Sequence, residues 1–238
     1  MKSRDDLSIK IFADGANLEN MKEMNAKSYI QGLTTNPTLM RKAGILDYKQ
    51  FAKDVLSEIT KKPISFEVFS DDFSEMIRQG IEIASWGENV YVKIPVTNTL
   101  GLSAAPVIES LTKQGVKVNV TAIMTVDQVK DVSELLDPLI PSYVSIFAGR
   151  IADTGRDPIP LMKEALDILR VNKSCELIWA SPRELLNVIQ AESIGCHIIT
   201  ATNDIIQKLD LLGYDLIDYS LDTVKMFNKD ALVAGYSL

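Results

Sequence analysis

The sequence predicts an α/β fold: a single (β/α)8 TIM barrel over residues 1–238, with residues 216–238 forming a C-terminal helical extension. Three observations carry this. Short β-rich runs alternate with amphipathic stretches eight times, at roughly thirty-residue spacing, from one end of the chain to the other. No Pro/Ser-rich linker or low-complexity segment marks a domain boundary. The first strand runs into Asp14-Gly15-Ala16-Asn17, without the glycine pattern of a doubly wound nucleotide-binding fold.

The strands are expected at residues 9–13, 32–34, 64–68, 90–94, 117–120, 143–146, 176–179 and 197–200, where β-branched and aromatic residues concentrate. Between them, apolar residues recur at three- and four-residue intervals over 48–59, 74–85, 103–114, 126–136, 160–169, 183–191 and 204–212, which reads as helix. Gly44, Gly87, Gly115, Gly195 and Gly213 fall just past such patterns, where a left-handed C-cap is expected.

At 238 residues, with 46% hydrophobic and 24% charged residues, the chain can bury a full core. A net charge of -7 argues against nucleic acid or an anionic membrane surface as the main partner. No run is long enough to span a bilayer, and the start Met1-Lys2-Ser3-Arg4-Asp5-Asp6 carries no secretory pattern, so a cytoplasmic location is expected. Cys175 and Cys196 each sit in an apolar run and read as buried reduced thiols. His197 is the only histidine, which leaves a His-based zinc site or a Ser-His-Asp triad almost nothing to draw on; a structural role is expected.

Lys93 is the most unusual residue. It interrupts Val90-Tyr91-Val92-Lys93-Ile94-Pro95-Val96, where an unpaired ammonium group is costly enough that the amine tends to lose its proton and become a nucleophile. Taken alone, a strand lysine more often faces solvent or guards an edge. The ends of the other strands argue otherwise, because a barrel of this kind carries its chemistry on that rim. The first strand ends at Asp14, the second at Thr34-Thr35-Asn36, the third at Glu67 and the fifth at Asn119 and Thr121. The sixth ends in Ser145-Ile146-Phe147-Ala148-Gly149-Arg150 and the seventh in Ser181-Pro182-Arg183, whereas the eighth, near Thr200, adds nothing obvious.

Each of these residues has a plainer role open to it. Asp14 suits a helix N-cap, Asn36-Pro37 a helix start, and Arg150 and Arg183 pairing with surface acids. Their joint placement around one ring fits Schiff-base chemistry better. Lys93 would attack a ketone carbonyl, Asp14 and Glu67 would move protons, and Thr121 would hold a water. Arg150, Ser181 and Arg183 lie one βα unit apart and suit a phosphate, because guanidinium forks match phosphate oxygens. The expected substrate is a phosphorylated sugar.

On Phe12-Ala13-Asp14, Gly32-Leu33-Thr34-Thr35-Asn36-Pro37, Val92-Lys93-Ile94-Pro95, Asn119-Val120-Thr121, Phe147-Ala148-Gly149-Arg150-Ile151 and Ala180-Ser181-Pro182-Arg183, the chain resembles the transaldolase family, in its short branch that also contains fructose-6-phosphate aldolases. The resemblance implies that Lys93 forms the Schiff base, Asp14 is the acid/base, and Glu67 and Thr121 hold the catalytic water. It implies that Asn36 and Ser145 bind the hydroxyls of the dihydroxyacetone unit with Asn119 beside them, that Arg150, Ser181 and Arg183 hold the phosphate, and that Thr35 and Phe147 are further substrate-binding residues. It implies no metal, no organic cofactor, and a homo-oligomer, pentamer or decamer. Glu67 and Phe147 resemble the transferase state, since the aldolases are similar except for Gln and Tyr there. The expected activity is transfer of a dihydroxyacetone unit from fructose 6-phosphate or sedoheptulose 7-phosphate to an aldose phosphate in the pentose phosphate pathway. The alternatives are an aldolase releasing free dihydroxyacetone and a transaldolase taking a sulfonated analogue.

Overall fold

The structure is a computed structural model and describes residues 4–236; residues 1–3 and 237–238 of the expected barrel and extension lie outside the described residues. Eight parallel strands close in chain order: β1 (Lys10–Asp14), β2 (Ile30–Thr34), β3 (Ile64–Glu67), β4 (Val90–Pro95), β5 (Val118–Ile123), β6 (Ser142–Ile146), β7 (Cys175–Trp179) and β8 (Ile198–Ala201). Every expected strand is present. The helices are α1 (Leu18–Ala26), α2 (Pro37–Lys42), α3 (Tyr48–Glu58), α4 (Phe73–Ala84), α5 (Ala105–Lys113), α6 (Val126–Ser133), α7 (Ala148–Asp153), α8 (Ile159–Leu169), α9 (Leu186–Ser193), α10 (Asn203–Gln207) and α11 (Leu216–Ala234).

Seven helical stretches were legible from periodicity alone, and the differences have local causes. Helix α1 buries only Met21 and Met24, too few to make a stripe. Its N-cap is Asn17, whose side chain accepts from Asn20 N; Asp14 is not a cap. Asn36 does cap α2, accepting from Leu39 N, with Pro37 at the first position. The single helix expected over 204–212 breaks into α10 and a 3-10 turn over Lys208–Leu211. Gly44, Gly115, Gly195 and Gly213 have left-handed φ, whereas Gly87 does not: α4 ends earlier, at Ala84, with Ser85 as a right-handed cap.

Two apolar layers form the core, and they are the two faces of each strand. Ile11, Ile64, Phe66, Val90, Val92, Ile94, Val118, Val120, Val144 and Leu177 join the layer between strands and helices. Phe12, Tyr91, Tyr143, Ile178 and Ile198 form a separate cluster that fills the inside. Because strand side chains alternate, the next inward position toward each C-terminal end is fixed: Asp14 after Phe12, Lys93 after Tyr91, Ser145 after Tyr143, Ala180 after Ile178, Thr200 after Ile198. Tyr91 stacks on Tyr143 at 4.1 Å, and Phe12 meets Tyr143 edge-on at 5.8 Å. Gly32 makes room for that floor, since a Cβ there would stand 2.5 Å from Phe12 Cζ. Burying each outward Val or Ile contributes about 1.5–3 kcal/mol, so the outward residues hold the barrel closed while the inward ones are free to serve the site.

Helix α11 departs from this economy. It is capped by Asp215 at one end and by left-handed Gly235 at the other, yet buries none of its residues. Leu232, Val233 and Phe227 are 74%, 81% and 63% exposed.

Candidate active site

A cavity of about 490 Å³ opens at the C-terminal ends of the strands. Asp14, Asn36, Glu67, Lys93, Thr121, Ser145, Phe147, Arg150, Ser181 and Arg183 line it. Thr35 and Asn119 lie beneath it, both 0% exposed.

Lys93 is 6% exposed and points inward above Tyr91. The amine is not unpaired, as the sequence suggested: Nζ lies 3.1 Å from Glu67 Oε2 and donates to the Thr35 carbonyl at 3.1 Å. Strand register puts the partner there, because Glu67 and Lys93 are paired positions on β3 and β4. Thr35 is held in turn by its own side chain and backbone N–H, which both donate to the Ser65 carbonyl at 3.0 and 3.1 Å.

Asp14 sits on a second network. Thr34 Oγ1 donates to its Oδ1 at 2.8 Å and Asn36 Nδ2 reaches its Oδ2 at 3.4 Å. Thr34 Oγ1 also meets Thr200 Oγ1 at 2.6 Å. The eighth strand therefore does contribute: Thr200 lines the cavity, the opposite of what its end suggested. Burial raises the Asp14 pKa above the ordinary carboxylate range, against the pull of the Lys93 charge and the Thr34 hydrogen bond, with the Glu67 charge adding to the rise. Two carboxylates thus share one cation in different surroundings, one against its ammonium and one among hydroxyls and an amide.

Below the mouth, Ser145 Oγ donates to Asn119 Oδ1 at 2.7 Å, and Asn119 Nδ2 donates to Ser65 Oγ at 3.0 Å. Asn119 thereby fixes Ser145 at the cavity wall. Thr121 is 1% exposed, and its Oγ1 is buried without a protein partner. The chain bulges at the next residue: Ala122 has φ 63°, and the β5–β6 register shifts between Val120 and Ile123. An orphaned buried hydroxyl facing a polar cavity has the valence to hold a water or a substrate oxygen.

The far wall comes from β6, β7 and α7. The Arg150 guanidinium lies 5.7 Å from the centre of the Phe147 ring. Arg183 is engaged by an acid that the sequence reading did not single out. Its Nε donates to Asp153 Oδ1 at 2.9 Å and its Nη2 to Asp153 Oδ2 at 2.5 Å, while Nη1 donates to Ser181 O and Oγ, each at 2.9 Å. Ser181 is held at φ 59°, rare for a residue with a Cβ. Gly149 permits this closeness, since a Cβ there would stand 1.7 Å from Ser181 O. Lys42, at the end of α2, is a further lining cation that sequence reasoning missed. Period two would have found Ser65, which shares the inward face of β3 with Glu67, whereas the roles of Thr34 and Thr200 needed the closed ring that brings them together.

His197 is structural, its Nδ1 accepting from Leu177 N at 2.9 Å, and both cysteines are free and buried. Among the described residues no group of three or more His, Cys, Asp or Glu is placed to hold a metal ion, and no helix is long and apolar enough to cross a membrane.

A buried amine with Glu67 at 3.1 Å, and a second carboxylate on its own network across the cavity, define a (β/α)8 barrel whose ionisable groups gather at the C-terminal mouth, where such folds carry their chemistry. Comparisons with known proteins narrow this. The family model for transaldolase/fructose-6-phosphate aldolase matches residues 11–233. A "Probable transaldolase" of Thermoanaerobacter sp. strain X514 is 35% identical over 231 residues, covering 97% of this chain and all of that protein. One from Nitrosopumilus maritimus strain SCM1 is 36% identical over 206 residues, covering 84% and 87%. A dihydrodipicolinate synthase family protein from Coccidioides immitis superposes over 100% of this chain and 81% of its own with a TM-score of 0.64; at 13% identity it shows the fold alone. The chain belongs to the transaldolase/fructose-6-phosphate aldolase family.

Proposed function

We propose that the protein is a class I transaldolase that carries a dihydroxyacetone unit from a ketose phosphate to an aldose phosphate through a Schiff base on Lys93. The observation that carries this reading is the Lys93 amine itself, buried yet open to the cavity with Glu67 at 3.1 Å. Glu67 takes a proton from the Lys93 ammonium, the freed amine adds to the C2 ketone of fructose 6-phosphate, and the carbinolamine takes that proton onto its hydroxyl and loses water to give the protonated imine. Asp14 takes the C4 hydroxyl proton, the C3–C4 bond breaks, and its electron pair flows to the imine nitrogen, leaving an enamine and releasing glyceraldehyde 3-phosphate. The enamine adds to the acceptor aldehyde, Asp14 returns the proton to the new alkoxide, and water cleaves the product imine. Glu67 and the unpartnered Thr121 hydroxyl hold that water; Thr35, Asn36, Asn119 and Ser145 position the three-carbon unit directly or from beneath; Arg150, Ser181 and Arg183 form the anion subsite.

Transfer is favoured over release because Phe147, on the cavity wall, offers no hydroxyl to protonate the enamine. The apolar face of α11 supports assembly into a homo-oligomer, and two buried free thiols suit a cytoplasmic enzyme of the pentose phosphate pathway. Incubation with fructose 6-phosphate and borohydride should add a three-carbon mass to the Lys93 peptide, and an unmodified peptide rules the mechanism out. Turnover that needs erythrose 4-phosphate identifies the transferase; free dihydroxyacetone in its absence identifies the aldolase.

A further inference from the structure

The anion subsite is not two free arginines. Arg183 spends four hydrogen bonds on Asp153 and Ser181, so of the five N–H groups of a guanidinium it keeps one. Asp153 is held ionised, its pKa lowered by the hydrogen bonds from that guanidinium, so the pair contributes no net charge to the cavity. Arg150 has no carboxylate within ion-pair distance among the described residues, and it alone presents an open fork at this wall. Ser181 Oγ accepts from Arg183, which leaves its own proton to be donated to a ligand.

We propose that Asp153 is a specificity-determining positioning residue: by bracing Arg183 beneath Ser181 and cancelling its charge, it leaves the substrate's terminal anion to Arg150 and the Ser181 hydroxyl, and thereby sets how strongly the subsite prefers a doubly over a singly charged group. The reasoning is Coulombic. One added unit of positive charge attracts a dianion twice as strongly as a monoanion at the same distance, so the ratio of the two affinities reads the charge of the subsite. A residue that only held the fold together would move both affinities equally. This rests on the sugar-phosphate reading above, which takes this wall as the anion subsite.

The test is isothermal titration with inorganic phosphate at pH 8 and with methanesulfonate. It requires no turnover, so its failure leaves borohydride trapping at Lys93 intact, and the converse. Asp153→Asn should tighten phosphate about fivefold and methanesulfonate about twofold. Arg183→Gln, which leaves Asp153 uncompensated, should weaken phosphate more than methanesulfonate. The double variant Asp153→Asn/Arg183→Gln, with the wild-type net charge, should return most of the wild-type ratio. A ratio that stays constant across the three variants, or Asp153→Asn weakening both probes together, overturns the assignment.

Discussion

Lys93 Nζ and Glu67 Oε2 stand 3.1 Å apart on adjacent strands, at paired positions and almost out of reach of solvent. Their relationship turns the burial of a charged amine from a liability into a balanced pair. Breaking such a pair on one side costs about 3–5 kcal/mol, because the remaining charge is left uncompensated. Glu67→Ala is therefore expected to lower unfolding stability by that order in urea, and Lys93→Met by less, since the carboxylate it leaves uncompensated is the more exposed of the two, 14% against 7%, and the methionine chain fills the space of the lysine. Equal losses in the two variants would argue that packing, not charge, governs this position.

Asp14 carries the opposite sign. Its pKa is raised in the folded state by burial, so the fold binds the protonated form better than the unfolded chain does. Ionised Asp14 thus costs stability at neutral pH, and the cost falls away as pH drops through the folded pKa toward the unfolded one. Asp14→Asn should raise the melting temperature at pH 7.5, with the gain shrinking on acidification, while turnover falls by at least about 10²-fold. The acid limb of the wild-type rate profile should lie above the ordinary carboxylate range.

Thr121 separates stability from chemistry. Its hydroxyl has no protein partner, so Thr121→Val breaks no intramolecular hydrogen bond and unfolding stability should change by less than about 1 kcal/mol. Turnover should drop about 10- to 100-fold. Single-turnover kinetics of imine formation and hydrolysis would locate the loss in the water-dependent steps.

Gly149 tests the far wall. A methyl group at this position would stand 1.7 Å from Ser181 O, a backbone atom that cannot swing aside. Gly149→Ala should destabilise by about 1–3 kcal/mol, as overpacking does, and should weaken phosphate binding in titration by displacing Ser181. Intact phosphate affinity would mean that the subsite lies elsewhere.

Much of this was legible in the chain. All eight strands follow from β-branched runs, and ten of the twelve candidate residues line one cavity. Register explains what was hidden. Lys93 reads as an isolated charge in sequence because Glu67 is 26 positions away, and only strand pairing brings it to 3.1 Å. Thr200 looked idle because its partner, Thr34, is supplied by closing the barrel between β8 and β1. Asp153 was masked by sitting one helical turn beyond Arg150, in a helix too short to show periodicity. Helices α2 and α7, six residues each, escaped periodicity for the same reason, and α1 because its buried residues are only Met21 and Met24.

The floor formed by Phe12, Tyr91 and Tyr143 has a kinetic consequence. The barrel is plugged below Lys93, so the cavity is a blind well with one mouth. In a transfer reaction the first aldehyde must leave through the opening by which the second arrives. Double-reciprocal plots of initial velocity against donor at several acceptor concentrations should then be parallel, with the departing aldehyde competing against the acceptor for the same covalent intermediate.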